Sequence, residues 1–274
     1  MECFFINLDG ERDRRALIES NFAVHAADGW RLNRVAAVDV AGVRRRNMPG
    51  GVRDTEKGCF LSHRKAVEQS LLFDDYTMIL EDDAMFGAHS CACIAEAIDT
   101  LAPESWDILY TDLIVADPGY LAGLLRQRRQ ACSEGSQQVL DLASAPYSGA
   151  TAYVLNPRFS ARLLQLISIP RLDAPYDLYL RALVLEKHVR AFATFPYATS
   201  VSLLGDRTQI QWSEGKEADM SLVYNALRRF LWIDRDLASC ADSVAHLGDK
   251  FVDAETAVFM KILGPLLSPN SGLG

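Results

Sequence analysis

Three adjacent carboxylates, Glu81-Asp82-Asp83, follow directly on the β-prone run Tyr76-Thr77-Met78-Ile79-Leu80. The run predicts a buried strand that ends in concentrated negative charge. Three like charges at such an end repel one another, and the arrangement is costly unless a cation compensates. In an extended segment Glu81 and Asp83 point to one side and Asp82 to the other. One carboxylate sharing a divalent ion with diphosphate oxygens suits that geometry, because magnesium- and manganese-type ions prefer oxygen ligands. A solvated acidic turn has the same spacing, and spacing alone leaves both readings open.

Other polar residues fall where the same chemistry could use them. Asn7-Leu8-Asp9 ends the β-prone run that begins at Cys3, and Asp39 ends a short run from Val35 to Val38. Arg14 lies in the charged helical stretch that follows Gly10. Their plain structural roles are a strand terminator, a turn former and a solvated helix charge. Ser62-His63 sits inside a predicted helix from Glu56 to Phe73, with His63 on the face of Cys59 and Val67. A histidine there is ordinarily a hydrogen-bonded core residue. Asp177 comes two residues after Pro175, in a first helical turn where the helix dipole already favours a carboxylate.

The elements that must position these residues alternate between strands and helices. Cys3–Leu8, Val35–Val38, Tyr76–Leu80, Trp106–Tyr110, Ser148–Leu155 and Val189–Phe195 read as strands with helical patterns between them. Alternation of this kind predicts an α/β domain with a mostly parallel sheet covered on both faces. Ligands bind such sheets beyond the carboxyl ends of the strands, where Asn7, Asp39 and Glu81-Asp82-Asp83 would converge on one rim. Asn156-Pro157 supplies an N-cap and a first-turn proline for a helix through Ile167. Arg44-Arg45-Arg46 with Met48-Pro49-Gly50-Gly51 reads as a mobile basic loop, and Leu121–Ala145 as an insertion with a flexible loop. From Ala218 the pattern is helical, in two helices split near Gly248. The expected organisation is a domain over 1–217 with a helical C-terminal extension, 218–274, packed on it.

Five motifs, in order over roughly residues 4–180, resemble glycosyltransferase family 25, the lipooligosaccharide galactosyltransferase family. They are Ile6-Asn7-Leu8 with Asp13-Arg14-Arg15, Gly58-Cys59-Phe60-Leu61-Ser62-His63, Met78 to Asp83, Gly149 to Leu155, and Pro175-Tyr176-Asp177. The resemblance implies a GT-A type, Rossmann-like fold, a UDP-hexose donor, galactose foremost, and inversion at the anomeric carbon. It implies a divalent metal, manganese or alternatively magnesium, on Asp83, with Glu81 on the ribose side and Asp82 at a donor-sugar hydroxyl. Asn7, Leu8, Arg14, Asp39, Ser62, His63 and Gly149 would then line the donor site, His63 without a metal role. An inverting transferase needs a base for the acceptor hydroxyl proton, and the motif match nominates Asp177. The metal-binding histidine that many GT-A enzymes carry late in the domain is missing, since none lies between His188 and His246. Thr208-Gln209-Ile210 stands where a small hydroxyl motif near the phosphates would fall.

The implied partners are a UDP-sugar donor and a saccharide or glycolipid acceptor in lipopolysaccharide or lipooligosaccharide synthesis. A net charge of −8 argues against nucleic acid as a partner. No run is apolar and long enough for a membrane span. Six scattered cysteines without a repeated C-x-x-C spacing read as reduced thiols. The expected location is therefore cytoplasmic, with peripheral attachment at the inner face of the membrane as a variant. The tail has large apolar faces, including Leu231, Val258, Phe259 and Ile262, that would pack on the domain or on a second copy. Arg228-Arg229, Lys250 and Lys261 could instead serve membrane docking. Two other functions compete: a non-catalytic sugar-binding relative of the same fold, and a metal-dependent phosphohydrolase. The second would need further carboxylates for a two-metal centre, and none stands out.

Overall fold

The computed structural model describes residues 1–206, 216–245 and 252–268. The apolar runs pair as a sheet. β1 (Glu2–Asn7) lies between β2 (Arg31–Ala36) and β3 (Thr77–Glu81) and runs parallel to both. Beyond β3 come β9 (Ala152–Leu155), β5 (Ile108–Tyr110), β10 (Ala191–Phe195) and β7 (Gln138–Asp141), giving the order β2-β1-β3-β9-β5-β10-β7. Only β9 and β7 run against the others. The chain thus has the mostly parallel, helix-flanked α/β sheet expected of it.

Alternation along the strands sends side chains to two cores. Phe4, Ile6 and Ile79 pack with α3 (Asp54–Ser70), α6 (Pro157–Ile167) and α7 (Tyr176–Leu185). Cys3, Phe5, Met78 and Leu80 pack on the other face with α1 (Arg12–His25) and α4 (Ser90–Thr100). Helix α6 begins as its sequence requires, with Asn156 accepting a hydrogen bond from the Arg158 amide and Pro157 in the first turn.

Several expectations need correction. The second strand ends at Ala36, and Asp39 instead caps α2 (Val40–Arg45), its carboxylate accepting from the Gly42 amide. Arg44 and Arg45 are therefore helical, not part of a loop. Leu121–Ala145 is no flexible insertion. It is α5 (Pro118–Glu134), capped by Asp117 and ended by left-handed Gly135, followed by edge strand β7. The polar run Arg126–Arg129 masked its buried side, on which Arg128 itself lies with Leu124 and Ala131. The run Ser148–Leu155 is broken, because Gly149 takes φ +89° between β8 (Tyr147–Ser148) and β9.

Two small ribbons are built from segments that follow strand ends of the sheet: β4 (Ala84–Met85), after β3, pairs with β11 (Ser200–Val201), after β10, and β6 (Ile114–Val115), after β5, pairs with β8. The tail contributes three described helices, α8 (Lys216–Leu231), α9 (Leu237–Val244) and α10 (Ala254–Leu267). The expected break at Gly248 lies outside the described residues, as does Thr208-Gln209-Ile210. Among the described residues no helix is long and apolar enough to cross a membrane.

Candidate active site

Parallel pairing of β1, β2 and β3 brings their carboxyl ends to one rim. A cavity of about 420 Å³ opens there, lined by Leu8 and Arg14, by Asp39 before α2, by Cys59, Ser62 and His63 of α3, and by Glu81, Asp82 and Asp83. Asn7 is buried just behind it. Its amide nitrogen donates to Asp82 Oδ2 (2.8 Å) and to the Glu11 carbonyl (3.0 Å), while its oxygen accepts from Arg34 (3.0 Å). Arg14 reaches the acids from α1, with Nε 3.1 Å from Asp82 Oδ1 and an NH2 group 2.6 Å from Asp83 Oδ2.

The strand turns after Glu81, so strict alternation does not carry through the acidic triplet. Asp82 and Asp83 both meet Arg14, whereas Glu81 faces α3. His63, wholly buried, has Nε2 3.2 Å from Glu81 Oε1 and Nδ1 3.1 Å from the Tyr153 hydroxyl. That hydroxyl is 2.9 Å from the one on Tyr176, whose ring stacks on the imidazole at 4.2 Å. Ser62 spends its hydroxyl on the backbone, donating to the Gly58 carbonyl (2.6 Å) and accepting from the Val38 amide (2.8 Å). It ties α3 to the turn before α2.

A second cavity, about 330 Å³, adjoins the first. Its walls come from Ser148–Thr151, from Pro175, Tyr176 and Asp177 at the start of α7, and from Tyr224, Asn225 and Arg228 on α8. Cys59, His63, Glu81, Asp83 and Gly205 border both cavities. Asp177 Oδ2 accepts from the Gly149 amide at 2.9 Å, which anchors one carboxylate oxygen to the strand break.

Electrostatics separate the three acids. Burial pushes Glu81 up, but the hydrogen bond and charge of His63, helped by Arg228 and Arg14, hold it below the usual carboxylate range. Burial raises Asp82 against the pull of Arg14 and Asn7. Asp83 is pushed up to about 7 by burial, with Arg14 opposing and Glu81 adding to the rise. Its Oδ1 is buried without a hydrogen-bond partner. A buried, under-compensated oxygen ligand is the donor a hard divalent cation requires, so Asp83 fits the metal role. A separate trio, Cys59, His63 and Glu81, has ligand atoms all within 4.8 Å of one another.

The residues that sequence reasoning missed lie mostly far along the chain. Arg228 donates from Nε to Asp112 Oδ2 (2.8 Å) and pairs with it again through an NH2 group, both residues being buried. Arg229 donates to the carbonyls of Val201 and Ser202, each at 3.0 Å, and to Asp206 at 2.6 Å. Both arginines are thus internal, which takes them out of the membrane-docking alternative. Tyr153 and Tyr176 sit inside the recognised motifs, but nothing in their spacing announced a chain of hydroxyls to His63.

No curated protein matches the chain. Among solved structures, the galactosyltransferase LgtC in complex with donor and acceptor sugar analogs is 12% identical, over 67% of this chain and 70% of that one, at a TM-score of 0.37. Mouse xyloside xylosyltransferase 1, in its apo form, is 14% identical, over 69% of this chain and 63% of that one, at 0.30. Both likenesses are too distant to bear on mechanism. The sequence model of glycosyltransferase family 25, described as an LPS biosynthesis protein, matches residues 1–180, from the first strand through Asp177. The rim of β1, β2 and β3 and the start of α7 fall within that match, and the chain belongs to glycosyltransferase family 25.

Proposed function

We propose that this chain transfers a hexose, galactose foremost, from a UDP-sugar to a saccharide or glycolipid acceptor with inversion, in lipopolysaccharide or lipooligosaccharide synthesis at the cytoplasmic side of the membrane. The observation that carries the reading is the pair of adjoining cavities that meet at Glu81 and Asp83, with Asp177 across the second. Two substrates that exchange one group need adjoining sites with the reacting bond at their junction.

In this reading the first cavity takes the nucleotide. Leu8, Asp39, Ser62 and Glu81 surround the nucleoside, and Asn7 holds Asp82 toward the donor sugar. Arg14 carries positive charge beside Asp82 and Asp83, where the leaving diphosphate would lie. A manganese or magnesium ion held by Asp83 would supply neutralisation of the negative charge on that diphosphate. The acceptor enters the second cavity. Asp177 has one oxygen fixed by the Gly149 amide, leaving the other to receive the hydroxyl proton as the acceptor oxygen attacks the anomeric carbon.

The test is incubation with manganese and a panel of nucleotide sugars, with and without saccharide acceptors, scored by UDP release. Release from UDP-galactose that depends on acceptor is expected. Turnover of a non-uridine donor in preference, or no turnover of any donor, would overturn the reading.

A further inference from the structure

We infer that Cys59, His63 and Glu81 form a second cation site, selective for zinc-type ions and separate from Asp83, whose occupation blocks the junction of the two cavities. Cys59 and His63 lie one turn apart on the same face of α3, and Glu81 meets them from the end of β3. The Cys59 sulfur is 3.9 Å from Glu81 Oε1, and His63 Nε2 is 3.2 Å from that oxygen. One thiolate, one imidazole and one carboxylate form a borderline-soft ligand set. Such a set suits zinc, whereas magnesium and manganese favour oxygen ligands throughout.

Three further features match a built site. Histidine ligands are ordinarily oriented through their second ring nitrogen. With Nδ1 donating to the Tyr153 hydroxyl, which can donate in turn to Tyr176, an ion takes the Nε2 lone pair in place of the hydrogen bond that Nε2 otherwise shares with Glu81. Stacking on Tyr176 at 4.2 Å, with ring planes only 8° apart, fixes the imidazole plane. All three ligands border both cavities, so an ion can enter and a water can complete a four-coordinate shell. Binding breaks the S–H bond of Cys59, whose proton goes to solvent while the sulfur's electron pair binds the ion, and nothing is oxidised or reduced.

An ion there takes Glu81 and His63 away from the donor and adds positive charge beside Asp83. Inhibition by zinc should therefore compete with the donor and be unrelated to the supporting metal on Asp83.

The experiment uses the full chain, freed of metal by chelation. It is titrated with cobalt as a spectroscopic substitute for zinc, then with zinc. The expected result is a thiolate-to-cobalt charge-transfer band that saturates at a single ion per chain and is bleached by zinc. Cys59→Ser and Cys59→Ala should lose the band, while Cys132→Ser, at an exposed thiol, keeps it. Asp83→Ala should keep the band while losing manganese-enhanced UDP binding, so the fate of this site and that of the Asp83 assignment are read independently. In transfer assays the zinc concentration for half-inhibition, taken relative to each variant's own rate, should rise at least tenfold in Cys59→Ser. No band in the wild type, or an equal band in both Cys59 variants, would overturn the site.

Discussion

At the scale of single residues, Asp83 and Asp177 hold the same functional group in unlike surroundings. Asp83 is buried at the strand end, and its proton is released only near pH 7. A free aspartate titrates near 3.9. The folded protein therefore holds this proton more tightly than the unfolded chain does. The resulting contribution to stability is full below about pH 4, declines as pH rises toward about 7, and is absent above that. A cation that needs the carboxylate acts in the opposite sense. Manganese should raise the melting temperature at pH 8 and leave it nearly unchanged at pH 5, and Asp83→Ala should abolish the difference. Equal manganese stabilisation of wild type and variant at pH 8 would remove Asp83 from the metal site. Asp177 is held by a backbone amide, which an asparagine could still engage through its side-chain oxygen. Asp177→Asn should thus keep UDP affinity and lose about 10²–10⁴-fold in transfer, the range of a general base. A loss of only a few-fold in steady-state assays would make Asp177 a helix-start residue and put the base elsewhere.

At the scale of elements, the donor cavity depends on how closely α3 approaches the turn after β2. A Cβ on Gly58 would lie 2.5 Å from the Val38 carbonyl oxygen, nearer than any side chain can sit. Ser62, one turn on, bonds both to the Gly58 carbonyl and to the Val38 amide. Gly58→Ala should push the helix off this turn, cost about 1–3 kcal/mol as an overpacking change and weaken UDP binding. Thermal melting and UDP titration check both effects, and an unchanged melting temperature would mean that the contact relaxes freely. The same elements explain what the sequence disclosed. β1 and β3 were legible because short continuous apolar runs, buried on both faces, end in polar residues within a few positions. The α5–β7 segment was not, since its helix turns the polar Arg128 inward beside Leu124 and Ala131, which breaks the apolar period, and its strand is a four-residue edge. Nor was the Tyr176–Tyr153–His63–Glu81 chain. Its single links reach across as many as 90 positions, and only the packing of α3 against β9 and α7 brings them into line.

At the scale of the whole molecule, the tail divides into a part that belongs to the site and a part that does not. Helix α8 buries Asn225, Ala226, Arg228, Arg229 and Leu231. Arg228 is paired with Asp112 across 116 positions of sequence, and Asp112 is itself wholly buried and raised by that burial against the pull of the arginine. Removing one partner of such a pair leaves an uncompensated buried charge, at a cost of roughly 3–5 kcal/mol. Asn225 and Arg229 hold the turn Leu203–Asp206, whose Gly205 borders both cavities. By contrast α10 buries no residue, and Val258, Phe259 and Ile262 are each more than half exposed. Two truncations separate these contributions. A chain ending at Ala245 should stay soluble, bind UDP and melt within a few degrees of the full protein. A chain ending at Gly215 should be insoluble or unfolded, because Asp112 loses its cation and the surface under α8 is uncovered. A double substitution, Asp112→Asn with Arg228→Met, removes both charges and should recover part of the stability that Arg228→Met alone forfeits, as read from melting temperatures. If the chain ending at Gly215 were folded and bound UDP as well as the full protein does, α8 would be an accessory, and the site would be complete without the helical tail.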